Sequence, residues 1–137
     1  MNYTLILFLA AVIILGAIML IFANLKSGRH LDVDRYRVKC LSIEQQLKAD
    51  EPSSYQLAVL NADKLVDQAL RERGLKGKTM GERMQCGATL FSDRNGIWTA
   101  HKLRNTIAHE PEVQVTYDQA RYALSCFRKA LKDLGAI

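Results

Sequence analysis

The sequence lacks the short motifs that mark several common enzyme classes. It has no HExxH, GxxxxGKS, GxxxxGKT, GxGxxG or GxSxG pattern. These patterns are typical of zinc metalloproteases, P-loop nucleotide hydrolases, dinucleotide-binding enzymes and serine hydrolases. The sequence therefore gives no support to those four classes.

Cysteine is scarce as well, with three residues in the whole chain, Cys40, Cys86 and Cys126. An odd number excludes complete pairing in disulfides, and the wide spacing is unlike that of metal-ligand pairs. All three cysteines follow an apolar N-terminal stretch and a cluster of basic residues, an order that places them in the reducing cytoplasm. We therefore predict three buried thiols. The sequence indicates no metal site and no cofactor.

Charge of either sign is missing from Leu5 to Ala23, where every residue is apolar or glycine. At about 1.5 Å per residue this stretch forms a helix of roughly 28 Å, close to the ~30 Å thickness of the bilayer hydrocarbon. No basic residue precedes it, and it is longer than the apolar region of a signal peptide, which has roughly 7–15 residues. We therefore expect an uncleaved membrane anchor over residues 1–25, with residues 5–23 in the lipid bilayer.

Every lysine and arginine follows the apolar stretch, beginning with a cluster of five: Lys26, Arg29, Arg35, Arg37 and Lys39. The positive-inside rule then places the N-terminus outside the cell inner membrane and the C-terminal part in the cytoplasm. The same cluster could also contact anionic lipid headgroups. The formal net charge of +5 lies in the cytoplasmic part and suits a polyanionic partner.

Apolar residues recur at steps of three and four along residues 33–137, whereas no window alternates well enough for a sheet. We predict an all-α fold, in which a linker over residues 26–32 joins the transmembrane helix to a domain over residues 33–137. That domain should contain four main helices and one short helix. The first helix is expected over Val33–Lys48, and the second from a cap at Ser53 or Ser54 to Gly74. The short third helix should run from a Thr79 cap to Cys86. The fourth should follow a break at residues 92–96 and run through Trp98 to His109, and the last should run from a Thr116 cap to Gly135.

The stretch LRNTIAHEP ends the fourth of these helices and contains Arg104, Asn105 and His109. It resembles the signature of HEPN domains, an arginine, a polar residue and, a few residues later, a histidine. The resemblance extends over the helical body from about Val33 to Leu134. A second match runs from Arg94 to His101, but its Asn-Gly pair favours a turn, which would hold Arg94 in a loop.

The resemblance implies a metal-independent endoribonuclease of the kind used in bacterial defence, stress or toxin–antitoxin systems. Metal-free RNA cleavage needs a base, an acid and positive charge near the phosphate. The imidazole of His109 exchanges protons near neutral pH, the guanidinium of Arg104 offers donors to phosphate oxygens, and Asn105 could orient either group. The alternative is a non-catalytic, membrane-tethered HEPN-like scaffold or RNA-binding module, in which Arg104 and His109 only stabilise the helix C-terminus.

Five positions at about 100° each separate Arg104 and His109 by some 140° around a helix, which argues against a complete site within one protomer. The resemblance implies a homodimer with a composite cleft, and an anchor would favour pairing by confining protomers to a plane. A protein inhibitor is possible but is not indicated by the sequence.

Other candidate residues surround this motif. Arg121, Arg128 and Lys132 form a basic stripe on the last helix that could follow an RNA backbone. We assign His101 to helix packing, or to a supporting role in RNA binding within the cleft. Trp98 is predicted in the core, with stacking on a nucleobase as the alternative.

Overall fold

The structure, a computed structural model, describes residues 2–26, 29–110 and 112–137. Within those residues it is all-α and contains no strand, which confirms the predicted fold class. The helices are α1 (Tyr3–Lys26), α2 (Val33–Gln46), α3 (Pro52–Glu72), α4 (Met80–Cys86), α5 (Arg94–His109) and α6 (Tyr117–Asp133). A 3₁₀ turn at Ala88–Leu90 follows α4.

Helix α1 contains the stretch predicted as a membrane anchor. Its segment Tyr3–Phe22 has a mean hydropathy of 3.2, and none of it is buried against the rest of the chain. By length and composition this helix could cross a membrane. Met1 of the predicted anchor, Ser27 and Gly28 of the predicted linker, and Pro111 of the loop before α6 lie outside the described residues.

Helix α3 is the centre of the bundle and packs against α2, α4, α5 and α6. Its apolar residues are buried on more than one face, because neighbouring helices cover it from several sides. The buried set is Tyr55, Ala58, Val59, Ala62, Leu65, Val66, Ala69 and Leu70. This central position also buries one charged residue of α3, Asp63.

Local capping fixes most helix ends where the sequence predicts them. The hydroxyl of Thr79 accepts a hydrogen bond from Glu82 N, and Thr116 and Gln119 form a reciprocal capping box at the start of α6. Gly74, at φ 86°, follows the end of α3 in the left-handed conformation that glycine adopts without strain. Three of the predicted boundaries are thereby confirmed.

The predicted serine cap of α3 is wrong. The N-cap residue is instead Glu51, two positions before Ser53, and its side chain makes no capping hydrogen bond; the helix begins at Pro52. Proline suits this position because its fixed φ is helical and the N–H that it lacks would have no partner there. The hydroxyl of Ser54 instead donates to the carbonyl of Glu51 at 2.7 Å.

The predicted break over residues 92–96 is also wrong in its second half. Helix α5 begins at Arg94, and the carboxylate of Asp93 caps it by accepting a hydrogen bond from Gly96 N at 2.8 Å. A Cβ at Gly96 would overlap the Asp93 carboxylate, so glycine serves close approach here and not a turn. Arg94 therefore lies in the helix, with an exposed side chain.

Two predicted core residues lie at the surface. Trp98 is 40% exposed, because α5 turns Ile97, Ala100 and His101 toward the interior and the next position after Ile97 lies about 100° away around the helix. Cys86, at the end of the short helix α4, is exposed, whereas Cys40 and Cys126 are buried as predicted.

Candidate functional site

A cleft of about 850 Å³ lies between α3, α4 and α5. Arg104 and Asn105, two of the three residues that the sequence proposes as catalytic, line it, as does His101. The cleft is therefore built from the central helix, the short helix with its preceding loop, and the helix that carries the motif.

The buried carboxylate of Asp63 joins α3 to α5 within this cleft. Its Oδ1 lies 2.7 Å from His101 Nδ1, and its Oδ2 lies 3.2 Å from Arg104 Nε. His101 and Arg104 are one turn apart on α5, so both side chains reach the same carboxylate. An ionised carboxylate only accepts hydrogen bonds, so this contact suits the His101 tautomer that carries its hydrogen on Nδ1.

Arg104 is held at two points. Besides its contact with Asp63, it donates from Nη1 to Asn105 Oδ1 at 2.8 Å. Its side chain is nevertheless 37% exposed, so part of the guanidinium faces the cleft. The arrangement presents an oriented fork of donors, which suits the non-bridging oxygens of a phosphate group.

A second ion-pair cluster supports the wall made by α4 and its preceding loop. Arg83 is buried and contacts Asp67 Oδ1 through Nε at 2.8 Å, while its Nη1 donates to the carbonyl of Gly77 at 2.7 Å. Arg71 contacts Asp67 Oδ2 at 2.6 Å. These contacts hold the loop and α4 against α3 and neutralise the carboxylate of Asp67.

Basic side chains outnumber acidic ones around the cleft. The acidic lining residues are Asp63 and Asp67, and the basic ones are Lys64, Arg71, Lys78, Arg83 and Arg104. Both carboxylates are already paired, whereas Lys64 and Lys78 make no ion pair within the described residues. The cleft therefore has an excess of positive charge and suits an anionic ligand.

His109, the third proposed catalytic residue, does not lie in the cleft. It occupies the last position of α5, is exposed and is not among the residues that line the cleft. The helix turns it away from Arg104, as the angular offset of about 140° for five positions requires. A single chain brings together Arg104, Asn105 and His101, but not His109.

The basic stripe of α6 is likewise separate from the cleft. Arg121 is exposed, and Arg128 places Nη1 at 2.7 Å from each carboxylate oxygen of Glu44, an ion pair that raises the pKa of Arg128. Arg128 and Lys132 line another depression, of about 280 Å³, together with Arg37. None of the three stripe residues lines the main cleft.

Asp63 is the residue that sequence reasoning missed. Its position in the sequence could have indicated its role. An aspartate within the apolar pattern of a central helix becomes buried and then needs a charged or hydrogen-bonding partner. Its partner His101 is 38 positions away in the chain, so no local spacing links the two. Among the described residues, no group of three or more His, Cys, Asp or Glu side chains is placed to hold a metal ion.

Comparisons of the chain with protein-family models, with curated proteins and with solved structures give no match. The fold and the site thus define the chain as an all-α bundle with a positively charged cleft, preceded in the sequence by a helix that could cross a membrane.

Proposed function

We propose that this chain is a membrane-anchored, HEPN-like, metal-independent endoribonuclease whose cleft binds the RNA backbone. The observation that supports this most directly is the oriented Arg104–Asn105 pair inside a cleft with an excess of basic side chains. His101, held by Asp63 in the same cleft, adds an imidazole whose Nε2 makes no hydrogen bond within the part of the chain that the structure describes.

The reaction requires attack of the 2′-oxygen on phosphorus and departure of the 5′-oxygen, which leaves a 2′,3′-cyclic phosphate. One group removes the proton of the 2′-hydroxyl, and another protonates the leaving oxygen. We assign one of these roles to His109, as the HEPN resemblance implies, and we assign stabilisation of the charged phosphorane to Arg104. Asn105 positions Arg104, and His101 is the further proton-transfer group available in the cleft.

Because His109 lies outside the cleft of its own protomer, the complete site requires a second copy of the chain. We propose a homodimer in which His109 of one copy approaches the Arg104–Asn105 pair of the other. Helix α1 would confine both copies to the inner membrane, and the basic residues after it would keep the bundle in the cytoplasm with the RNA. Defence, stress response and toxin action are the settings that the resemblance implies.

The test is RNA cleavage by the full chain in lipid nanodiscs with EDTA present. We expect products with 2′,3′-cyclic phosphate ends from the parent, and a loss of at least about 100-fold in rate for His109→Ala and Arg104→Ala, which is typical of removing a proton-transfer or charge-stabilising group. The matched controls are His30→Ala and Arg94→Ala, which change exposed side chains outside the cleft and should leave the rate unchanged.

A specific observation favours a second candidate, a non-catalytic scaffold or RNA-binding module. Arg104 makes two contacts within its own chain, with Asp63 and with Asn105, and these alone would explain its presence. A scaffold would yield no cleavage products from a folded parent, and Arg104→Ala would lower only its stability. RNA association that weakens with salt, without products, would identify the binding module.

A further inference from the structure

Trp98, the one tryptophan of the sequence, lies at the edge of the cleft with 40% of its surface exposed. The buried residues of α5 are Gly96, Ile97, Ala100 and His101, so the indole is not part of the face that α5 buries. An indole left in water forgoes the gain in free energy that burial of its apolar surface would bring. Its exposure at this position gives the charged cleft an aromatic face as well.

The indole is held in place by its neighbours. Its ring meets the ring of His101 edge to face, with the centroids 6.2 Å apart and the planes at 76°. The start of α4 also lies beside the indole, since a Cβ at Gly81 would be in van der Waals contact with Trp98 Cη2, at 3.5 Å. A ring fixed in this way loses little conformational freedom when a flat ligand packs on it.

Trp98 also separates two depressions. Together with His101 and Asn105 it lines both the main cleft and a neighbouring depression of about 370 Å³, which Thr99 and Lys102 complete. These three shared residues border both depressions and are called the ridge. A chain of phosphates that crosses the ridge would meet Arg104 on one side and Lys102 on the other.

We infer that Trp98 is a stacking platform for an unpaired RNA base, and that the strand crosses the ridge from the Arg104 side to the Lys102 side. The inference rests on the proposed function, since it takes RNA as the ligand of the cleft. Stacking on an aromatic side chain accepts any base and requires the base to be free of its duplex, so the site selects single strands. Lys102 and Arg104 supply the charge for the phosphates on either side.

The test uses the fluorescence of Trp98, which is unambiguous because no other tryptophan is present. The full chain in dodecyl maltoside micelles, which add no tryptophan, is titrated with a short 2′-O-methyl oligouridylate, which has no free 2′-hydroxyl and cannot be cleaved. We expect this strand to quench the emission, and an abasic strand of equal length or a duplex to cause little quenching. Equal quenching by the abasic strand would overturn the inference, because phosphates alone would then account for the signal.

Variants provide the second arm, read by the anisotropy of a labelled oligouridylate. Trp98→Leu should weaken binding about tenfold and Trp98→Phe less than about threefold, because phenylalanine keeps a face for stacking. The matched control is Tyr122→Leu, which changes an exposed aromatic of α6 outside both depressions and should leave binding unchanged. Unchanged binding by folded Trp98→Leu would overturn the platform.

The two proposals fail separately. A chain that binds the oligouridylate with quenching but produces no fragments from ordinary RNA supports the platform and contradicts the nuclease. A chain that cleaves RNA while Trp98→Leu retains full binding and rate supports the nuclease and contradicts the platform.

Discussion

At the scale of single residues, the candidate site depends on one buried carboxylate that contacts both an imidazole and a guanidinium. Asp63 orients the imidazole of His101 and restrains the guanidinium of Arg104. The sequence predicted that Arg104 and Asn105 belong to the site, and both line the cleft. It could not predict the contact with Asp63, because that contact depends on how α3 and α5 pack and not on any spacing along the chain.

Asp63→Ala should therefore weaken the bundle. The substitution leaves His101 and Arg104 without their shared acceptor, and we expect the free energy of unfolding to fall by about 2–3 kcal/mol, since Arg104 is partly exposed and regains water. Urea unfolding of the full chain, followed by Trp98 fluorescence, measures the change. Asp50→Ala, at an exposed position without a side-chain ion pair among the described residues, is the control. A loss no larger than that of the control would mean that Asp63 does not hold α3 to α5.

At the scale of helices, the sequence correctly predicts those helix ends whose capping residues are close to one another in the chain. Thr79, Thr116 and Gly74 act within a few positions of the helix ends that they define, so their effect is readable from the sequence. The Asn95-Gly96 pair gave a wrong prediction of a turn, because the same two residues also fit the capped first turn of a helix. The Asp93 carboxylate and the packing of α5 decide between them.

The capping box of α6 gives a prediction at this scale. Thr116 Oγ1 accepts from Gln119 N at 3.2 Å, and Gln119 Oε1 accepts from Thr116 N at 3.0 Å. We expect Thr116→Ala to lower the free energy of unfolding by about 1 kcal/mol, and Thr116→Ser to retain most of it, because serine keeps the hydroxyl. Urea unfolding of the three proteins checks this. If Thr116→Ser lost as much as Thr116→Ala, packing of the threonine methyl group and not capping would explain the loss.

At the scale of the whole molecule, the proposed functions of the two parts of the chain depend on each other. The bundle presents the cleft, but His109 lies outside it and one copy leaves the proposed site incomplete. Helix α1 is long and apolar enough to cross a membrane, and a shared membrane would bring copies together. The sequence predicted both features but not their geometry, because the relation between two protomers is not encoded in the spacing of residues within one.

The orientation in the membrane can be tested with the native cysteines. Cys86 is exposed, whereas Cys40 and Cys126 are buried, and burial together with the nearby Glu44 carboxylate raises the pKa of the Cys40 thiol, which lowers its reactivity further. A membrane-impermeant maleimide should therefore label Cys86 in inverted inner-membrane vesicles and should not label the protein in intact spheroplasts. Loss of the label in Cys86→Ser confirms the site. Labelling of spheroplasts would show the opposite orientation and would separate the bundle from cytoplasmic RNA.

Co-expression of two inactive variants tests the composite site. When Arg104→Ala and His109→Ala chains pair at random, about half of the dimers are mixed, and each mixed dimer has one intact Arg104 and one intact His109 on different chains. If the two residues act across the dimer, one of its two sites is complete, and the mixture should recover about a quarter of the parent's cleavage rate. If they act within one chain, every site lacks one residue and no activity returns. Co-expression with Asn105 intact in both chains keeps the positioning of Arg104 unchanged, so the recovered rate reports only whether His109 reaches the cleft of the neighbouring copy.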